Sequence, residues 1–269
     1  MSALAAIWTA RRPMADARSV IVTGAAAGIG AACAERLQRD GWSVSLVDVA
    51  DEVTEAASRL KDRTLAFHGD VVDEAFCDRV TAETAATLGP LQGLVHAAGI
   101  AGQQAPLIEL PLTEIRRVLE INLIGSFVMS RSVARHMSQA GLGGAIVLLG
   151  STGGRRGDAH DAPYAASKAG VHILAQVMAL ELGKAGIRVN AVAPGPIMTR
   201  MHTEYVDYLA EQTSTTPERQ LEAIRQTIPI GRHGKPFDVA AAAAWLLGED
   251  SGFITGQTIG VDGGVLPWS

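Results

Sequence analysis

The sequence predicts an α/β protein: a doubly wound parallel sheet of about seven strands, with helices on both faces, in a single domain over residues 19–269. Three observations predict it. From Ser19 onward, short β-branched runs alternate with longer helical patterns. The runs are apolar at consecutive positions and not at alternate ones, as strands covered on both faces must be. No Pro/Ser-rich linker or internal repeat divides the chain, and strand–helix alternation of this kind closes a sheet through right-handed crossovers.

The elements follow in order. The first strand is expected at 20–23 and runs through Thr23-Gly24-Ala25-Ala26-Ala27-Gly28-Ile29-Gly30 straight into a helix at 29–39. Further strands are expected at 43–47, 64–67, 93–96, 145–149, 188–192 and 258–261. Helical patterns fill the gaps at 53–61, 73–88, 113–139, 163–184 and 237–247. Residues 1–18 read as a disordered or loosely attached tail. Its short apolar stretch precedes Arg11 and Arg12, the wrong polarity for a secretory signal, and Met14 is a second candidate start. Between Pro194 and Pro236 two weak helical stretches, 203–211 and 217–226, flank the polar run Gln212-Thr213-Ser214-Thr215-Thr216. So long a segment in a compact domain reads as a lid over a substrate site, at about 197–230.

Composition narrows the function. The chain of 269 residues is 48% hydrophobic but only 4% aromatic, so aliphatic side chains and alanine must fill the core. A formal charge of −5 gives no footprint for nucleic acid or an anionic membrane. Cys33 and Cys77 lack metal-ligand spacing and are too few for a disulfide scaffold, which points to a reducing, cytoplasmic setting. No run approaches the roughly 20 apolar residues of a membrane span, so a soluble protein is expected.

The glycine turn carries the first chemical signal. Its glycines let the backbone turn sharply and approach a pyrophosphate, while the following helix offers free N–H groups and a positive dipole end. The spacing is G-x-x-x-G-x-G. Later in the chain stand Asn122-Leu123-Ile124-Gly125, then Ser151 thirteen residues before Tyr164, and Tyr164-Ala165-Ala166-Ser167-Lys168. Pro194-Gly195 with Thr199, and Asp262-Gly263-Gly264, complete the series. In this order and spacing the sequence resembles the short-chain dehydrogenase/reductase family over residues 19–264. One stretch departs from it: the family's N-N-A-G after the fourth strand is His96-Ala97-Ala98-Gly99 here. One side-chain hydrogen bond must therefore be missing or replaced, and His96 reads as a core or sheet-edge residue.

The resemblance implies a Rossmann-like fold, a nicotinamide cofactor and four catalytic residues: Asn122, Ser151, Tyr164 and Lys168. Tyr164 and Lys168, four apart on a helix, share a face. A lysine cation about 4 Å from the phenol favours phenolate by about 4 kcal/mol at an effective dielectric of 20, roughly three pKa units. Tyr164 would then act as acid and base, Ser151 would hold the substrate oxygen, and Asn122 would hold a water passing protons from Lys168. No metal is implied. Cofactor contacts are expected at Gly24, Gly28, Ile29, Gly30, Asp48, Asp70, Val71, Ala98, Gly99, Tyr164, Lys168, Pro194, Gly195, Ile197 and Thr199. Asp48 ends the second strand, where such sites set an acid against the adenosine ribose, and Val49-Ala50-Asp51-Glu52 brings no basic side chain. That predicts NAD over NADP, the alternative for Asp48 being a cap on the next helix. Asp70 matches an adenine contact or a turn.

The expected reaction interconverts a secondary alcohol and a ketone, with a small polyol, sugar or hydroxy compound as substrate. A 3-oxoacyl-carrier-protein reductase is the alternative, and a non-catalytic NAD-binding sensor the third reading. Met198, Met201, His202 and Tyr205 are expected to face the nicotinamide side. His160 reads as a loop histidine or a substrate contact. Arg155 and Arg156 suit an anionic substrate or a subunit contact. The helices at 113–139 and 163–184 carry apolar residues on more than one face, and with the resemblance this implies a homotetramer.

Overall fold

Seven strands form one sheet in the computed structural model, which describes residues 18–60 and 63–266. They are β1 (Ser19–Thr23), β2 (Ser43–Asp48), β3 (Thr64–His68), β4 (Leu91–His96), β5 (Gly144–Leu149), β6 (Ile187–Pro194) and β7 (Thr258–Val261). The order is β3-β2-β1-β4-β5-β6-β7 and every pairing is parallel. Consecutive apolar residues serve opposite faces. Val20 and Val22 of β1 pack into one core with Val44, Leu46, Val95 and Val147, while Ile21 packs into the other with Leu94, Ile146 and Leu148.

Helices α1 (Gly28–Arg39) and α9 (Pro236–Leu247) cover the first face, and α2 (Val53–Arg59) lies beside them. Helices α3 (Glu74–Leu88), α5 (Gly125–Ala140) and α6 (Ala162–Leu182) cover the second. Alanine lets α9 approach closely: Ala240 and Ala243 are wholly buried. The expected tail lies outside the described residues except for Arg18, whose guanidinium stacks 4.1 Å from the Trp42 ring centroid. The end of the helix expected at 53–61 also lies outside them.

The helix expected at 113–139 is two helices. α4 (Leu112–Leu119) and α5 are joined by a π-helical turn, Glu120–Ile124. The cause is not local. Asn122 sits in the widened turn, accepting from the Ile100 N–H at 2.8 Å and donating to the Ile100 carbonyl at 2.9 Å. The lid segment folds as α7 (Arg200–Gln212) and α8 (Pro217–Thr227). The polar run between them is no loose hinge. Thr216 caps α8, and Gln220 Nε2 reaches back to the Thr213 and Thr215 hydroxyls at 2.6 and 2.9 Å.

Candidate active site

β1 lies between β2 and β4, so the chain leaves it in opposite directions and opens a crevice at the C-terminal ends of the strands. The glycine loop lines this crevice. Gly24 has φ +63°, and a Cβ on it would lie 2.8 Å from the Ala97 carbonyl carbon. A Cβ on Gly30 would lie 2.1 Å from the Gly24 oxygen, so only glycine lets α1 pack against its own loop. Ala27 opens α1 without a side-chain cap, and no acid stands in its first turn. The N–H end of α1 is thus left for an anion, a cradle that fits a dinucleotide pyrophosphate.

Asp48 does not cap α2, which begins from Glu52. Its Oδ2 accepts from the Ala26 N–H at 2.9 Å and its Oδ1 from the Ala50 N–H at 3.1 Å. Each oxygen keeps acceptor capacity, and the carboxylate fixes the rim of the glycine loop. Asp70 turns its own loop by accepting from the Val72 N–H, and Val71 is buried beneath it. The backbone of the fourth-strand stretch is held by Thr23. Its Oγ1 accepts from the Ala97 and Ala98 N–H groups, both at 3.1 Å, and therefore donates to His96 Nδ1 at 3.0 Å. His96 is fully enclosed, and burial with the Lys168 charge pushes it down to about 3. It is a sheet-end residue.

At the other wall, Ser151 follows β5, and its Oγ accepts from the Gly153 N–H at 3.0 Å. Ser151 also hydrogen-bonds the Tyr164 phenol. Tyr164 and Lys168 stand one turn apart on α6. Lys168 Nζ lies 5.6 Å from the Tyr164 ring centroid and donates to the Leu149 carbonyl at 2.9 Å. Burial holds Lys168 down to about 8. Tyr164 is raised above its ordinary value: its burial outweighs the Ser151 hydrogen bond, and Asp161 adds to the rise. The expected lowering by Lys168 is absent in the chain alone, because the cation is far from the ring and desolvation dominates. Asn122 is fully buried with its side-chain amide committed to Ile100 and, at 3.1 Å, Ser167.

His172 escaped the sequence reading. It lies one turn beyond Lys168 and accepts from the Ser151 N–H at 3.4 Å. Burial, with the Arg155 and Lys168 charges, pushes it down to about 4, so it serves as a neutral acceptor behind Ser151. Extending the row Tyr164–Lys168 by four more residues would have found it.

The walls enclose a cleft of about 340 Å³. Gly99, Lys168, Pro194, Gly195, Ile197 and Thr199 line one end, and α7 and α8 cover the other with Met201, His202, Tyr205, Leu209, Ile224 and Thr227. Met198 lies outside this lining. The two arginines separate. Arg155 donates to the Thr258 carbonyl on β7, whereas Arg156 lines the cleft. His160 Nδ1 pairs with the lid's Tyr208 hydroxyl at 2.8 Å. Among the described residues no cluster of His, Cys, Asp or Glu is placed to hold a metal ion, and no helix is long and apolar enough to cross a membrane.

A dinucleotide cradle beside a Ser–Tyr–Lys wall defines a nicotinamide-dependent oxidoreductase. The comparisons say which kind. The family model described as "Enoyl-(Acyl carrier protein) reductase" matches residues 24–266. Cis-4-hydroxycyclohexanecarboxylate dehydrogenase of Sinomonas cyclohexanicum is 41% identical over 92% of this chain and 96% of its own. Among solved structures, NAD⁺-bound xylitol dehydrogenase superposes with a TM-score of 0.88 at 29% identity, covering 94% of this chain and all of that one. An actinorhodin polyketide ketoreductase variant with NADPH reaches a TM-score of 0.89 at 32% identity, over 94% of this chain and 98% of its own. The chain belongs to the short-chain dehydrogenase/reductase family.

Proposed function

We propose that the protein is an NAD(H)-dependent dehydrogenase that interconverts a secondary alcohol and its ketone, with a small polyol, sugar or hydroxy compound as substrate. The observation that carries the proposal is the meeting of Ser151, Tyr164 and Lys168 in the cleft beside the glycine cradle. A nicotinamide cofactor held in the cradle would supply the hydride chemistry at the carbinol or carbonyl carbon. Ser151 Oγ holds the substrate oxygen and stabilises the negative charge developing on it. Tyr164 Oη takes the hydroxyl proton during oxidation and returns it during reduction. Lys168, charged below about 8, would reach the nicotinamide ribose, and we assign it the role of favouring the phenolate once the cofactor is bound. Asn122 braces the segment after β4 against α6 near Lys168, and we assign it the water that relays protons outward.

The cofactor is held by Gly24, Gly28, Ile29 and Gly30 at the phosphates, Asp48 at the adenosine ribose, and Asp70 and Val71 at the adenine. Ala98, Gly99, Pro194, Gly195, Ile197 and Thr199 complete its bed. Asp48 accepts from ribose hydroxyls and repels a 2′-phosphate, which favours NAD. A carrier-protein partner would need a basic rim; Arg117, Arg131 and Arg135 are paired with Glu114, Glu74 and Asp78, whereas Arg116 makes no ion pair among the described residues. Ile173, Val177 and Leu180 line an exposed face of α6, and Phe127 stands exposed on α5. These faces suit subunit contacts in a homotetramer. Turnover of NAD⁺ against polyols, hydroxysteroids and 3-hydroxyacyl thioesters tests the reading. Activity confined to the thioesters overturns it.

A further inference from the structure

Asp161 occupies the N-cap position of α6, where an aspartate ordinarily accepts a hydrogen bond from the first turn and stabilises the helix. It does not do so here. Its carboxyl makes no hydrogen bond or ion pair among the described residues, although it is half-buried. The residue before it explains the geometry. His160 has φ +69°, a left-handed conformation that costs a non-glycine residue energy and is held by the 2.8 Å bond to Tyr208 on the lid. With the backbone turned this way, the Asp161 carboxyl lines the cleft.

Its neighbours there are the reacting groups. The point where a Cβ on Gly153 would stand is 3.4 Å from Ser151 Oγ, 3.6 Å from Asp161 Oδ2 and 3.6 Å from Tyr164 Cε1. A carboxyl that gives up its helix cap to lie beside Ser151 and Tyr164 is an acceptor in want of a donor. Arg156 lines the same cleft, yet forms no ion pair with it. Asp158 faces it as well, and that negative charge together with burial raises Asp161 to about 7.

We propose that Asp161 is a specificity-determining residue which accepts a hydrogen bond from a second hydroxyl on the carbon next to the reacting carbinol, so that the preferred substrates are vicinal diols. This rests on the alcohol dehydrogenase reading above. Ser151 and Tyr164 engage the reacting oxygen, and Asp161 engages its neighbour. Once ionised, above about pH 7, the Asp161 carboxylate also rejects a substrate carboxylate at that place, since two like charges would meet in a partly desolvated site.

Propan-2-ol, propane-1,2-diol and lactate present hydrogen, hydroxyl and carboxylate oxygen beside the same carbinol, and they test this with NAD⁺ at about pH 9, where Asp161 is ionised. The wild-type enzyme should prefer the diol over the monoalcohol by about tenfold or more in kcat/KM, the scale of one hydrogen bond to a charged acceptor. Lactate should be the poorest. In Asp161→Asn the diol preference should collapse, mainly through KM, and lactate should gain relative to propan-2-ol, with NADH affinity unchanged. A variant in which all three substrates fall together assigns Asp161 a structural role and overturns the proposal. So does a wild-type enzyme that ranks lactate with the diol, a result that needs no variant. Turnover of propan-2-ol without any diol preference overturns this inference alone; failure to oxidise any alcohol overturns the dehydrogenase reading and this inference with it.

Discussion

The two halves of the cleft are built by different means. The cofactor half is made of backbone: the glycine loop, the uncapped start of α1, and the ends of β1 and β4 tied together through Thr23. The substrate half is made of side chains, some on α6, which the sheet holds firmly, and others on lid helices that it barely holds. α1 buries Gly30, Ala32, Cys33, Ala34 and Leu37, α7 buries only Val206 and Ala210, and α8 buries none of its residues. Errors of a few tenths of an ångström are therefore intolerable in the first half and absorbable in the second. A substitution in the cradle should be all-or-none, whereas one in the lid should be graded and confined to substrate.

Gly30→Ala tests this contrast at its extreme. The new Cβ would stand 2.1 Å from the Gly24 carbonyl oxygen, a backbone atom that cannot swing aside. We expect no measurable NADH binding by fluorescence titration and a Tm lowered by several degrees, as a backbone clash of a few kcal/mol implies. Retained cofactor affinity would show that the loop yields, and would remove the distinction between the halves.

Tyr164→Phe should separate chemistry from both kinds of binding. Losing a general acid–base group costs about 10²-fold or more in turnover, while the cradle is untouched, so NADH should bind as before. Lys168→Met should lose turnover and cofactor affinity together. Steady-state rates paired with NADH titrations read both, and near wild-type turnover in Tyr164→Phe would take the phenol out of the mechanism.

The same division governed what was legible in the sequence. Backbone requirements leave marks in composition. Gly24, Gly28 and Gly30 at fixed spacing, and consecutive apolar residues in β1 and β5, disclosed the cradle and the buried sheet directly. Long-range side-chain contacts leave none. Nothing near Asn122 announces that Ile100 will widen the turn around it, so 113–139 reads as one helix. Arg155 and Arg156 are indistinguishable as neighbours until Thr258 claims one of them. Met198, Met201, His202 and Tyr205 all follow the Pro194-Gly195 turn, and position after a turn does not tell which of them line the cleft. Thr23, taken only as the start of a motif, ties β1 to the Ala97 and Ala98 backbone.

Asp48→Ala sharpens the contrast inside the cofactor half, since the proposed preference for NAD rests on the Asp48 side chain. Wild-type enzyme should favour NAD over NADP by about 10²-fold in kcat/KM, about 3 kcal/mol from a like-charge contact and lost hydrogen bonds. The variant should shrink that ratio mainly by weakening NAD. Because Asp48 also holds the Ala26 and Ala50 N–H groups, a modest fall in Tm should accompany the change. Equal use of NADPH by the wild-type enzyme would sink the assignment.

The smallest effect belongs to the lid. α7 and α8 are joined by a turn that Thr213, Thr215, Thr216 and Gln220 lock with hydrogen bonds, so the pair moves as one body. One tie from that body to the catalytic wall is the 2.8 Å bond between Tyr208 and His160, and both groups are partly open to solvent. Such a bond contributes about 0.5–1.5 kcal/mol net. Tyr208→Phe should therefore raise KM for the alcohol by between about two- and tenfold and leave the NADH dissociation constant unaltered. His160, freed from its partner, should relax from its left-handed conformation, and the effect on substrate should be larger for a diol than for a monoalcohol because Asp161 is the next residue. A parallel loss of NADH affinity would mean that the lid supports the cradle as well, and that the two halves are mechanically one.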